Sequence, residues 1–570
     1  RGVLARTRPT AGPASIALTL DGGALDVDGL KAFASLFVSD AGATPLAEQN
    51  IDLAVKAGPV SAAGLTAETV DTALRLRDGR IEIDRLALGG LEGVSISATG
   101  LVRDFATAPA GNVDAAIVGA DLAPLIAVLA RHYPDNALVA ALNKRASAYP
   151  NLFADARIDL VASAVPGDDG SVAISAHGVA GGSDFSVTAS GSAEPLFDPA
   201  LPLTLTVAAK NENAEALLAL YGVPTLPIGM IGPADTSLMA RGTLSDGLDA
   251  TLDFTSEGLS ASYKGAFRLA EGHAEGEGSI ALQSADIEPW LMTTGLGMPG
   301  FGFGTPVDLS ADATFGKGLM TFSRIIGSMG EGAVAGDINV ALKDGRPHLT
   351  GAVTLDTLDL SPFAAMVLGE ASLSGDGTKW PTEPFSGSPG LPFTAALDVV
   401  AGTASAGMLG VAETVSFTGS LDGDGLRIAD LKATMHDGAL TGLVELKNNA
   451  GTGMVSGQAK LTGADLESLF DGGGLMGHAD ISATLSASGK TVEGLVASLS
   501  GSGTAMAHEL VVSGFDAAAF EKILAEADEI GRDIDGPRTA AFAPDLVSGG
   551  SFDAGEPDFA FTVAGGVLRA

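Results

Sequence analysis

Residues 72–84 read TALRLRDGRIEID. Leu74 and Leu76 alternate with Arg75 and Arg77, Asp78-Gly79 supplies a turn, and Ile81 and Ile83 then alternate with Glu82 and Asp84. Successive side chains of a strand point to opposite faces, so the stretch predicts a hairpin with one apolar and one charged face. The same grammar recurs in SIALTLDG, IDLAVKAG, LPLTLTVAA, GLDATLDFTSEG, DINVALKDG, FTAALDVVAG and ADISATLSASG, among 77 glycines that punctuate short strands. A long antiparallel sheet follows from this period of two.

Helical stretches are few. The longest is expected over 122–142 with a break at Pro134; shorter ones follow Asn213, Asp286, Asp359 and Asp465, and a last one runs from about Asp516 to Ile530. Three of these starts align as Asp121-Leu-Ala-Pro124, Asp286-Ile-Glu-Pro289 and Asp359-Leu-Ser-Pro362. An aspartate at an N-cap accepts from the orphan amides of the first turn, and proline is tolerated there because its missing N–H has no intrahelical partner. Asp121, Asp286, Asp359 and Asp465 are therefore expected to be structural caps, with Asn213 offering the same chemistry. A catalytic acid has no reason to recur at every helix start.

The chain also repeats itself. The stretch from Ile51 lies against the stretch from Ala395, with Leu53, Gly58 and Thr69-Val70 facing Leu397, Gly402 and Thr414-Val415. Further on, Gly119-Ala120-Asp121-Leu122 meets Gly463-Ala464-Asp465-Leu466. Two copies of a strand-strand-strand-helix unit are expected. Residues 369–393, rich in Gly, Ser and Pro, are the expected domain boundary.

Composition narrows the function. Of 570 residues, 69 are acidic and 32 basic, a net charge of −37 that has the wrong sign for holding nucleic acid phosphates or an anionic bilayer surface along the chain. With 46% hydrophobic residues the chain nevertheless has a core to bury. It contains no cysteine, which excludes disulfides, zinc–thiolate sites and thiol nucleophiles. No run of about 18 apolar residues is present, and the expectation is a fragment of a longer protein whose anchor or export signal lies outside it.

No stretch of the sequence completes a reactive constellation. Gly295, Gly297 and Gly300 have dinucleotide-binding spacing but lack the strand before and the helix after that such a site needs. His132, His177, His273, His348, His436, His478 and His508 are scattered, with no paired spacing for a metal. Asp422–Gly425 is half a calcium loop without its later ligands, and no nucleophile elbow or P-loop occurs. The chain is expected to be no enzyme and to use neither cofactor nor metal.

Residues 481–524, ISATLSASGKTVEGLVASLSGSGTAMAHELVVSGFDAAAFEKIL, resemble the C-terminal region of the AsmA family of bacterial envelope proteins. The family pattern falls here on Leu499-Ser-Gly501-Ser-Gly503 and Gly514-Phe515-Asp516; where members carry Asp-Gly in the next strand this chain has His508-Glu509. The unit from about Trp380 to Phe470 is similar to the family repeat, and the internal repeat extends the likeness to 51–130. The resemblance implies a groove-shaped fold related to bridge-like lipid transfer proteins, placed in the periplasm and anchored to the inner membrane by an N-terminal helix absent here. It implies a role in moving phospholipid towards the outer membrane.

The fold expected is thus mainly β: an elongated, repetitive antiparallel sheet curled into an open groove, with short interspersed helices. Residues 1–150 would form an AsmA-like repeat unit ending in helices, 151–368 middle groove repeats, 369–393 the boundary, and 394–570 the AsmA-like C-terminal region, truncated at its end. One-sided alternation leaves a continuous apolar face that must be covered. Its occupants are expected to be phospholipid acyl chains, with Leu53, Val55, Leu74, Leu76, Ile81, Ile83, Leu203, Leu205, Val207, Leu252, Phe254, Leu397, Val399, Ile481 and Leu485 as candidate lining. Outer-membrane or other envelope proteins are possible partners. The alternative is a non-conducting β-repeat scaffold or assembly factor for outer-membrane proteins, its apolar face filled by its own core.

Overall fold

The computed structural model describes residues 2–7, 15–26, 50–62, 65–104, 110–134, 136–165, 171–192, 202–243, 245–270, 273–375, 379–407, 410–470 and 473–570. The protein is mainly β, 61% strand and 17% helix. Among the described residues, twenty-nine strands belong to one long, mostly antiparallel sheet that does not close into a barrel, and three short ones form a separate small sheet. The chain divides into two compact units, Arg1–Gly295 with Thr305–Met320, and Leu296–Gly304 with Thr321–Ala570. The segment 369–393 lies inside the second unit, where Phe385 and Leu391 are buried in a core cluster.

The stretch 72–84 forms the hairpin between the strands Thr69–Arg77 and Arg80–Leu91. Arg77 pairs with Arg80, and Asp78 and Gly79 between them have φ of 49° and 72°. A two-residue turn with both φ positive twists with its strands, which is why Asp-Gly serves there.

In the first unit a ladder runs strand by strand from Gly2–Thr7 to Val307–Gly316. Every pairing is antiparallel except that of Ser15–Asp21 with Asn50–Ala57. Helices interrupt at intervals: Ala123–His132 and Ala137–Ala148 after the strand Ala110–Asp121, Ala214–Tyr221 after Leu203–Asn211, and Glu288–Thr293 after His273–Ser284. The second unit repeats the scheme. Its one parallel step joins Arg346–Asp359 to Thr394–Ser405, and antiparallel strands then follow to Thr452–Asp465 and the helix Leu466–Leu469.

The two copies seen in the sequence are larger than the three strands and helix expected. From Asn50–Ala57 to Ala110–Asp121 there are five laddered strands before a helix, and the same holds from Thr394–Ser405 to Thr452–Asp465. Each copy enters on a parallel step.

Candidate functional site: an apolar strip across the ladder

Residues directly opposite in a ladder share a face, so register decides what alternation alone leaves open. Starting at Leu53, the partners run Leu74, Ile83, Gly100, Val113, Ala162, Ile174, Ala189, Leu205, Ala240, Ala250, Gly265, Gly278 and Ala313. A second row on the same face passes through Ile51, Leu76, Ile81, Val102, Val172, Leu203, Leu248, Phe267 and Phe315. A third passes through Val55, Leu86, Leu160, Val187, Val207, Leu238, Leu252 and Ile280. The register thus places the eleven expected lining residues of this unit, Leu53 through Phe254, on one face.

The polar side chains in these three rows are Thr72 and Tyr263, and both satisfy themselves. Thr72 Oγ1 donates to the Arg85 carbonyl at 3.2 Å, and the Tyr263 hydroxyl reaches the carbonyls of Ala266 and Glu277 at 3.0 and 3.1 Å. Burial, with the nearby Glu277 charge, pushes the Tyr263 phenol up from its ordinary value. The strip therefore offers apolar surface without an unpaired polar group, the condition for holding hydrocarbon.

A fourth and a fifth row are covered by the protein's own helices. Trp290 and Ile287, with Leu217 and Ala214, pack on Ala209, Ala234, Phe254, Leu259 and Val307. Leu122, Leu125 and Ile126 pack on Val94, Ala156, Ala180, Ile117 and Ile158. All these strand positions lie towards one long border of the face, and the helices form a wall along it. Leu53, Val55, Leu74, Leu76, Ile81, Ile83, Leu203, Val207 and Leu252 are half-buried and belong to none of the helix-backed clusters. Leu205 joins Ala240, Leu248 and Ala250 in a cluster made within the sheet. Phe254 instead sits beneath the helix wall.

In the second unit Ile338, Gly351, Leu397, Gly419, Ile428, Val444, Gly457 and Leu485 form a comparable row. More of this face is filled internally. The helices Ser361–Leu368 and Val492–Ser498 and the buried Phe385 and Leu391 cover Ala395, Leu421 and Leu446, while Val399 lies in a core cluster with Phe417 and Val415. Ile481 packs beside Leu466 and Ala479, and Leu485 is half-buried outside the clusters.

The cap aspartates fix where each helix leaves the ladder. Asp121 accepts from Ala123 N at 2.9 Å, Asp286 from Glu288 N at 3.0 Å and Asp359 from Ser361 N at 2.9 Å. In these three the backbone N-cap is the following apolar residue, Leu122, Ile287 or Leu360, so the carboxylate acts from one position further out than the sequence pattern implies. That shift frees the apolar residue's own amide to bond the next strand region: Leu122 N to Phe153 O, Ile287 N to Thr305 O, Leu360 N to Ser405 O. Asp465 is itself the N-cap and accepts from Ser468 N at 2.8 Å. Asn213 occupies the N-cap without a side-chain bond of its own; the side-chain Oδ1 of Asn211 accepts from Asn213 N at 2.8 Å.

The opposite face is charged. Arg75 binds Glu82 at 2.9 Å and pairs with Asp84, Arg77 binds Asp52 at 2.9 Å, and Lys210 binds Asp235 at 2.8 Å. The bond from Arg75 holds the Asp84 carboxyl below its usual range. These pairs are exposed and add little stability, but they mark the face that meets water. Among the described residues no group of three or more His, Asp or Glu is arranged to hold a metal ion.

Several strip residues escape the sequence pattern. In HAEGEGSIALQS the inward positions of the strand His273–Ser284 include Gly276 and Gly278, which carry no apolar signal although they lie on the apolar face. Glu275 and Glu277 on the alternate positions are the sign that remains.

Compared with known proteins, the chain matches no family model, no curated protein and no solved structure.

Proposed function

We propose that the protein binds phospholipid through its acyl chains along the apolar strip, shielding them from water as part of a lipid-transporting envelope system. The observation that carries this reading is the set of three apolar rows from Ile51 to Phe315, outside the helix-backed clusters and half-buried along much of their length, with Ala98, Ala240, Leu248, Ala250 and Ala313 buried. With strands about 4.8 Å apart, that ladder extends on the order of 60 Å. Each methylene moved from water into apolar surroundings is worth about 0.8 kcal/mol, so a diacyl lipid with about thirty methylenes faces a barrier above roughly 20 kcal/mol in water. A continuous strip lowers that barrier without a catalytic group. Head groups stay at the wet margin.

The resemblance of residues 380–530 to the AsmA family supports a periplasmic setting and an inner-membrane anchor outside this chain. Among the described residues no helix is long and apolar enough to cross a membrane. The extensive internal filling of the second unit, with Val399 and Phe385 in its core, favours a scaffolding role for that part.

The test is site-specific photocrosslinking with lipid extraction of the purified protein. A photoreactive residue at Leu205 should capture phospholipid, whereas one at Thr206, on the opposite face, should not. Absence of co-purified lipid together with equal crosslinking at both positions overturns the reading.

A further inference from the structure

We propose that Tyr263, Phe267 and Phe315 form an aromatic bar across the strip that ends its acyl-binding part. The proposal rests on the reading of the strip as an acyl-chain site and specifies where along the ladder the chains stop. From the strand Asn50–Ala57 to the strand Gly247–Ser256, the three rows carry no aromatic side chain among the described residues. The aromatics of the rows fall on the next strands: Tyr263 in the third row and Phe267 in the second, both on Leu259–Ala270, and Phe315 in the second row on Val307–Gly316.

Two glycines make room for the rings. Gly276 and Gly278, on the intervening strand His273–Ser284, share the apolar face. A Cβ on Gly276 would lie 2.9 Å from Phe315 Cζ and 2.9 Å from Phe267 Cβ, and one on Gly278 would lie 2.8 Å from Tyr263 Cε2. Tyr263 and Phe315 therefore reach in from opposite neighbouring strands and lie over the middle one. They meet edge to face, with centroids 5.8 Å apart and planes at 64°. Because one ring belongs to the third row and the other to the second, the pair crosses the first row between them. The Tyr263 hydroxyl, 3.0 and 3.1 Å from the carbonyls of Ala266 and Glu277, ties its ring down to the sheet.

The floor around the bar is already covered. Tyr263 and Phe267 pack with Leu205 and Leu238 on the buried Ala240, Leu248 and Ala250, and Ala313 is buried outside every helix-backed cluster. Hydrophobic gain scales with the apolar area removed from water, so a floor that already lies under rings offers an acyl chain little. To occupy it, a chain must also part Tyr263 from Phe315 and from two carbonyls. Earlier along the strip Ile174, Val187 and Val207 are half-buried and belong to none of the clusters, so acyl chains gain there and stop at the bar.

The experiment is photocrosslinking in the full chain loaded with dioleoyl phosphatidylcholine, from Leu205 before the bar and from Ile280, opposite Tyr263 on the strand beneath the rings. In the otherwise unaltered chain, capture is expected at Leu205 and not at Ile280. Tyr263→Ala with Phe315→Ala should keep capture at Leu205 and add it at Ile280. Equal capture at the two positions without these substitutions, or no capture at Ile280 in the folded alanine variant, overturns the proposal. Tyr263→Phe keeps both rings and loses only the hydroxyl's hold, and serves if the alanine pair does not fold; it should raise capture at Ile280, and no rise overturns the proposal. Absence of capture at Leu205 in every variant overturns instead the acyl reading on which the bar rests, so the two failures are distinct.

Discussion

Phe254 meets Trp290 edge to face, with ring centroids 5.9 Å apart and planes at 87°. The contact closes a ten-residue core cluster and turns a position that alternation marks as lining into part of the helix wall. Six residues form the helix Glu288–Thr293, too few to be stable alone, so packing holds it on the sheet. Truncating a buried tryptophan typically costs about 3–5 kcal/mol. Trp290→Ala is expected to lower the stability of the first unit by that amount in chemical denaturation; a loss under about 1 kcal/mol would show that Trp290 does not anchor the wall.

The cap aspartates should not be equivalent. Asp121 accepts one backbone amide, from Ala123, whereas Asp286 Oδ1 accepts from both Glu288 N and Thr305 N, at 3.0 and 3.2 Å. Loss of a cap typically costs about 1 kcal/mol. Asp121→Ala is expected near that figure, and Asp286→Ala at about twice it because a second amide is orphaned. Asp286→Asn should recover most of the loss. Equal costs for the two alanine variants, measured by denaturation, would remove the distinction.

What was legible in the chain followed side-chain size. Where inward positions carry Leu or Ile, as at Leu74, Leu76, Ile81 and Ile83, period two marks the strand and its turn. Where they carry Gly or Ala, as at Ala98 and Gly100 or at Gly276 and Gly278, the apolar face loses contrast, and a five-strand period reads as three. Helix starts were readable because Asp-x-x-Pro has a local mechanism. The helix Gly536–Ser548 starts by the same chemistry, Asp535 accepting from Arg538 N with Pro537 in the first turn, but Gly536 and Pro544 within it hide the helical pattern. The common face of the lining residues is a property of register between strands far apart in sequence. The wall that covers Phe254 depends on tertiary packing, which no single strand encodes.

Glycines in the strip permit close approach. A Cβ built on Gly265 would lie 2.4 Å from Gly278 Cα and 2.2 Å from Glu277 O, and one on Gly278 would lie 2.8 Å from the Tyr263 ring. These are mostly backbone atoms that cannot swing aside. Gly265→Ala is expected to destabilise by about 1–3 kcal/mol, as overpacking does, and to raise amide exchange in the strands Leu259–Ala270 and His273–Ser284. A neutral or stabilising outcome would mean that the strands separate there without cost.

Asp480 gives the second unit a pH dependence of its own. Its Oδ1 accepts Gly463 N at 2.7 Å, and its Oδ2 lies 3.4 Å from His508 Nε2. The amide of Gly463 first, and His508 after it, hold the Asp480 carboxyl below its ordinary range against an opposing desolvation. A carboxyl depressed in the folded state stabilises above its unfolded pKa, about 3.9, and that contribution is lost as pH falls through the lower folded value. The residue is over a third exposed, so solvent screens the effect. Asp480→Asn keeps an acceptor for Gly463 but has no charge to titrate. Wild type should therefore be the more stable at neutral pH, and the difference should shrink as acid protonates Asp480. Denaturation midpoints of the two proteins across that range check the sign: a difference that is constant, or grows in acid, would show that the bond to Gly463 carries no charge-dependent stability.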